Sequence, residues 1–179
     1  MSKPPNAQLK HIGLFVRDLE GMIAFYTRLF GLVVTDTGAY GGGRIAFLSR
    51  NPDEHHQLVL ASGRPEESGF SPINQISFLI ESLEDLRQFY AVLVAGKAEI
   101  QRTITHGNAW AIYFFDPEGN RVEIYAHSPW YVAQPFAEPI DLTESAEALL
   151  VKTEALLKDN PTRVPMETWS ERLRAKIDS

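Results

Sequence analysis

"HIGLFVRDLEGMIAFYTRL", residues 11 to 29, returns 64 positions later as "QISFLIESLEDLRQFYAVL", residues 75 to 93. Between positions 12 and 29, Ile12, Leu19, Glu20, Phe25, Tyr26 and Leu29 recur as Ile76, Leu83, Glu84, Phe89, Tyr90 and Leu93. These are six identities in 18 positions, where unrelated segments of average composition share roughly one. A duplicated unit is the simplest account. A second shift, of 66 residues, sets "IAFLSRNPDEHHQLVL" against "WAIYFFDPEGNRVEIY" offset by one, with Phe47 meeting Tyr113 and Gln57 meeting Glu123.

Each copy reads in the same order. Residues 11–17 and 75–81 are short, apolar and rich in Ile, Val and Phe, which suits strands. Asp18 and Ser82 follow as N-caps, because their side chains accept the free N–H groups of a first helical turn, and Asp85 sits where a capping box places its acid. Met22, Ile23, Tyr26, Leu29 and Phe30 share one helical face, and Gly31 ends that helix. Three strands come next, over 32–37, 44–50 and 55–61 in the first copy and 97–104, 109–115 and 120–126 in the second. "GAYGGGR" is a hairpin turn; no Lys-Ser or Lys-Thr pair follows it, as a phosphate loop requires.

The pattern is therefore βαβββ twice, linked by "SGRPEESGFSPIN". It predicts an α+β fold of two tandem modules, 8–63 and 72–130, whose curved mixed sheets are paired around a cavity. Residues 131–179 form an extended connector, containing "SPWYVAQPFAEP" from 128 onward, and two C-terminal helices, in "DLTESAEALLVKTEALLKDN" and "PMETWSERLRAKI". The aromatic, Pro-rich connector and the apolar helix stripes need burial, which predicts a homodimer.

Composition narrows the function. The chain has 179 residues, a formal net charge of −6 and no cysteine. No basic patch offers itself to nucleic acid or to an anionic membrane surface, so a small molecule is the expected partner. Disulfides, thiol nucleophiles and Cys-ligated zinc are excluded. The first ten residues lack an apolar signal core and no run approaches a membrane span, which makes cytoplasmic the default expectation.

Duplication also locates candidate chemistry, since matching positions of two copies converge across a pseudo-twofold axis. His11 and Gln75 open the first strands; Gln57 and Glu123 lie in the last. An acid on the inward face of a strand needs a partner, and a carboxylate, an imidazole and an amide held by strands form a facial ligand set for a divalent metal. Four polar groups, His11, Gln57, Gln75 and Glu123, are thus expected to meet in one cavity, with Glu123 there as a ligand.

The duplicated layout, "LKHIGLFVRDLEGMIAFYTRLFGLVV" and "DPEGNRVEIY" resemble the vicinal oxygen chelate superfamily of glyoxalase I, extradiol dioxygenases, and fosfomycin- and bleomycin-resistance proteins, and that resemblance implies a metal held by His11, Gln75 and Glu123. "DEHHQLVL" and "HGNAWAIYFFDPEGNRVEIY" resemble in particular the His-His strand and terminal His, Tyr, Glu signature of type I extradiol dioxygenases. That resemblance implies ring cleavage of a catechol or similar small aromatic diol at Fe(II), with Mn(II) or Zn(II) as alternatives. It implies His56 as the acid/base and His106 and Tyr113 as donors to substrate oxygens. Strand alternation instead places His55 on the face of Gln57, so His55 stays open as the acid/base. Phe47, Trp110, Phe114 and Trp130 are candidates to wall an aromatic substrate.

One departure opens two further readings. Gln75 stands where an extradiol enzyme has its second histidine ligand, and an amide oxygen is a harder, weaker donor than imidazole. Glyoxalase-like relatives do use glutamine as a ligand. A metal-dependent lyase or isomerase acting on a small oxo substrate is the alternative, followed by a metal-free small-ligand binding protein.

Overall fold

The computed structural model describes residues 5–66 and 71–179; positions 67–70 of the expected linker lie outside the described residues. The chain divides into two compact units, Met1–Pro72 with Asp116–Gly119, and Ile73–Phe115 with Asn120–Ser179.

The first unit contains β1 (Ile12–Val16), α1 (Leu19–Phe30), β2 (Val33–Tyr40), β3 (Gly43–Ser49) and β4 (Leu58–Ser62). They form a mixed sheet in the order β1-β4-β3-β2, parallel only where β1 meets β4. Asp18 caps α1 by accepting from the Gly21 N–H, and Gly31 closes it at φ 64°, a left-handed conformation that glycine adopts without strain. The helix buries Leu19, Met22, Tyr26 and Phe30, and the sheet buries Leu14, Val16, Ala46, Leu48, Leu58 and Leu60. Strand alternation places those sheet residues on one face. Each large side chain so enclosed contributes about 1.5–3 kcal/mol. Gly41 and Gly42, both at positive φ, make the β2–β3 turn, which a primed two-residue hairpin requires.

The second unit repeats the plan with β5 (Ile76–Leu79), α2 (Leu83–Ala95), β6 (Ile100–Thr105), β7 (Ala109–Phe115) and β8 (Arg121–His127). Ser82 caps α2 by accepting from the Asp85 N–H. The sheet runs β6-β7-β8-β5, extended beyond β6 by one further edge strand, and is again parallel only at the pair that flanks the helix crossover, β5 with β8. The extra edge strand β10 (Glu138–Pro139) comes from the connector. Short β9 (Trp130–Tyr131) pairs with β11 (Val164–Pro165), between which lies α3 (Ala146–Leu157); α4 (Met166–Asp178) ends the chain. Both sheets carry a bulge at the matching place, between Val34 and Asp36 and between Ile100 and Arg102. The architecture is the expected α+β fold of two βαβββ modules with C-terminal helices.

Two local expectations differ. The last strand of the first copy begins at Leu58, not at position 55, so the alternation argument for His55 and His56 does not operate there. Ladder register also replaces one proposed equivalence. Gly13 pairs with Val59 as Ser77 pairs with Glu123, so the counterpart of Glu123 is Val59 rather than Gln57.

Candidate active site

Pairing register builds a polar row across the second sheet. Arg102 lies opposite Tyr113, Tyr113 opposite Glu123, and Glu123 opposite Ser77; directly paired residues project from the same face. The opposite face carries Trp110, Ile112, Phe114, Val122 and Ile124, all buried. Trp110 and Phe114 therefore belong to the core, where the Trp110 ring N–H donates to Thr153 at 2.9 Å, and they do not wall the candidate site.

Glu123 is 7% exposed, and a carboxylate so placed needs donors. It has three. The Tyr113 hydroxyl donates to Oε1 at 2.5 Å, the Ser77 hydroxyl to Oε2 at 2.5 Å, and the Gln75 amide Nε2 to Oε2 at 2.7 Å. Burial, followed by the hydrogen bond to Glu123 and the charge of Glu123, pushes the Tyr113 phenol well above the ordinary tyrosine range. The Arg102 guanidinium lies 4.7 Å from the Tyr113 ring centre. His106 Nε2 is 3.0 Å from the Tyr113 hydroxyl, and its Nδ1 is 2.8 Å from the Phe136 carbonyl. Tyr113 thus stands between an imidazole and a buried carboxylate, an arrangement able to hold or pass a proton along three hydrogen-bonded groups. Asn74, beside Gln75, is committed to the Arg121 side chain through its carbonyl and side-chain oxygens.

The first unit gathers a different set. The His11 and His56 ring centres are 4.4 Å apart. His55 Nδ1 lies 3.0 Å from His56 Nδ1, and His55 Nε2 lies 2.7 Å from Asp36 Oδ2. The Phe47 ring packs against both His55 and His56. Removal from water, then the neighbouring His11 and His55, lower the His56 pKa, which favours a neutral, proton-accepting ring. The Gln57 amide oxygen accepts from the Arg50 N–H at 3.0 Å, holding the β3–β4 turn.

Within the second unit, then, Gln75, His106, Tyr113 and Glu123 are brought together; within the first, His11 and His56 are. Ser77, Arg102 and Asp36 were not singled out from sequence. Ser77 was accessible to that reasoning, because it lies two residues after Gln75 and strand periodicity puts both on one side. Arg102 and Asp36 required the bulges to be known.

Among the described residues no group of three His, Asp or Glu side chains gathers to hold a metal ion. The donor chemistry suits a divalent cation: Gln75 and Glu123 are already side by side, and a half-turn of the amide replaces Nε2 by Oε1 toward the carboxylate.

A family model described as the Glyoxalase/Bleomycin resistance protein/Dioxygenase superfamily matches residues 8–124. Biphenyl-2,3-diol 1,2-dioxygenase 2 of Rhodococcus globerulus is 24% identical over 160 residues, covering 80% of this chain and 82% of its own length. Biphenyl-2,3-diol 1,2-dioxygenase 3 of the same organism is 26% identical, covering 82% and 86%. Among solved structures, a glyoxylase/bleomycin resistance protein/dioxygenase domain from Frankia sp. EAN1pec superposes with a TM-score of 0.59 at 22% identity, covering 69% of this chain and all of that one. The fosfomycin resistance protein FosX from Listeria monocytogenes, in complex with Mn(II) and sulfate, gives 0.55 at 20% identity, covering 69% and 95%. No described helix is long and apolar enough to cross a membrane. With the duplicated sheets, their matched bulges and a family match over more than half its length, this chain belongs to the glyoxalase/bleomycin resistance protein/dioxygenase superfamily.

Proposed function

We propose that the protein is a metal-dependent enzyme that moves a proton on a small substrate bearing neighbouring oxygen atoms, a lyase or isomerase of the glyoxalase kind. One observation carries this reading: the Gln75 amide shares Glu123 Oε2 with Ser77, where ring cleavage by resemblance calls for a histidine. His11, Gln75 and Glu123 are the proposed donors to the ion, Mn(II) or Zn(II) suiting an amide-containing set better than Fe(II). The ion, when bound, polarises a substrate oxygen as a Lewis acid. The protein's own groups do the rest. Tyr113, held protonated by burial and by Glu123, offers its hydroxyl proton to an oxygen on which negative charge develops. His106, as the imidazolium with both ring nitrogens protonated, returns a proton from Nε2 to the Tyr113 oxygen. His56, with its lowered pKa, is the proposed base.

A second reading, extradiol ring cleavage of an aromatic diol, is favoured by a specific pair of observations. His106 and Tyr113 stand 3.0 Å apart in the order that the extradiol signature has, and the curated relatives above are named for biphenyl-2,3-diol. A homodimer and a cytoplasmic location remain proposals of the sequence.

Paired assays on protein of measured metal content separate the readings. Formation or consumption of lactoylglutathione under argon by the Mn(II)- or Zn(II)-loaded protein is the expected outcome. Oxygen uptake with biphenyl-2,3-diol by the Fe(II)-loaded protein, with no turnover under argon, would overturn the first reading for the second. Failure to bind any divalent ion would remove both and leave a metal-free binding protein.

A further inference from the structure

His106 is gripped by a segment that lies beyond the residues matched by the family model. The connector residues 132–136 lie against the turn after β6. Its course is held from both ends: Ala133 donates its N–H to the Thr162 hydroxyl at 2.9 Å, and Glu138 and Pro139 pair with Thr105 and Ile104. Gln134 ties the middle. Its Nε2 donates to the His106 carbonyl at 2.8 Å and to the Val132 carbonyl at 3.2 Å, while its Oε1 accepts from the Phe136 N–H at 3.1 Å. The approach is close enough that a Cβ on Gly107 would collide with Val132.

A carbonyl oxygen only accepts. The 2.8 Å contact between His106 Nδ1 and the Phe136 carbonyl therefore requires a proton on Nδ1, whether the ring is neutral or cationic. Proton exchange is then confined to Nε2, 3.0 Å from the Tyr113 hydroxyl, which bonds to it either by turning its one proton from Glu123 to the neutral ring or by accepting from the cationic ring. We propose that Gln134 is a positioning residue of the site: by holding the Phe136 carbonyl against His106 it keeps that ring in the Nδ1–H tautomer and aims Nε2 at Tyr113. Its consequence for turnover rests on the function proposed above, whereas the tautomer itself does not.

The decisive measurement is long-range proton–nitrogen NMR of the histidine rings in the full-length, metal-free protein across a pH series. His106 should keep the Nδ1–H signature in every spectrum. Gln134→Ala should release the carbonyl and lower the ratio of Nδ1–H to Nε2–H about fivefold, the ratio that one ordinary hydrogen bond sets. Gln134→Glu, which keeps the oxygen that receives the Phe136 N–H, should lower it less, and it carries the test should the alanine variant not fold. A neutral ring protonated at Nε2 alone in the parent overturns the proposal. So does an unchanged tautomer in the variants with only a lower melting temperature, which would make Gln134 a purely structural tie. A parent that turns over none of the probes yet shows the locked tautomer refutes the proposed function and leaves this inference standing.

Discussion

In the first sheet the row Asp36, Phe47, Val59, Gly13 crosses four strands; in the second, at the same register and behind the same bulge, stands Arg102, Tyr113, Glu123, Ser77. The backbones agree and the chemistry does not. Glu123 is tolerable in a buried strand because its three donors come with it, from Tyr113, Ser77 and Gln75. In the first unit Phe47 has no hydroxyl and Gly13 no side chain, so a carboxylate at position 59 would have neither of those partners. A buried polar row is acquired or lost as a set, since a half-satisfied one costs more than an apolar one.

The strongest way to break this contrast is to copy the first row into the second. Glu123→Val should abolish stoichiometric Mn(II) binding in equilibrium dialysis, because the one charged donor of the proposed set disappears. It should also lower stability, since three donors lose their acceptor, each at about 1–3 kcal/mol if none finds water. Retained Mn(II) stoichiometry in the folded variant would show that the ion is held elsewhere.

Tyr113→Phe copies Phe47 and should act on turnover more than on the ion. Loss of one donor to a developing oxyanion costs about 10²-fold in rate, with Mn(II) affinity changed less than that. Removal of a hydrogen bond to a carboxylate should cost about 1.5–3 kcal/mol, readable as a fall in the denaturation midpoint. A variant equal to the parent in rate would take Tyr113 out of the chemistry.

Each unit buries one tyrosine against an acid, Tyr26 on Asp116 at 3.0 Å and Tyr113 on Glu123, and alkaline titration sharpens the comparison. Burial first, then the acid, raises both phenols above the ordinary value of 10.0. The folded state therefore holds the proton that the unfolded state releases. Stability from these groups is complete below pH 10.0 and falls as pH climbs from there toward the raised values. Tyr26→Phe and Tyr113→Phe should each flatten that alkaline fall, measured by denaturant midpoints at successive pH. An unchanged slope in either would mean that its phenol ionises freely in the folded protein.

How much of this was visible in the chain depends on the distance over which each cause acts. The caps Asp18 and Ser82 and the stop at Gly31 are set by neighbours within a few residues, and they stand where periodicity and capping chemistry place them. Glu123 was legible because an acid in an apolar strand is anomalous by itself. Its partners were only partly so: Tyr113 and Gln75 followed from the repeat and the resemblance, but Ser77 looks like any strand serine until the parallel β5–β8 register is known. The pairing of Gln57 with Glu123 failed for a related reason. A single shift cannot align strands joined by turns of different length, and the β3–β4 turn is longer than the β7–β8 turn. Trp110 and Phe114 were offered to the site by their aromaticity alone, while odd and even positions of β7 sort Tyr113 to one face and these two to the other.

The reverse copy, Val59→Glu, has the smallest expected effect and tests the set rule from the other side. A carboxylate there meets Phe47 and Gly13, the residues paired with and flanking it in the ladder, and finds neither hydroxyl. Mn(II) stoichiometry should be that of the parent, and stability should fall by about 1–3 kcal/mol for a partly buried acid with incomplete partners. Adding Phe47→Tyr supplies the hydroxyl that Tyr113 supplies to Glu123, so the double variant should recover part of that loss. Recovery would be read as a coupling between the two substitutions in a double-mutant cycle. Strict additivity would mean that the first sheet cannot accept the second sheet's chemistry even when given its residues, and that the backbone, not only the side chains, differs between the copies.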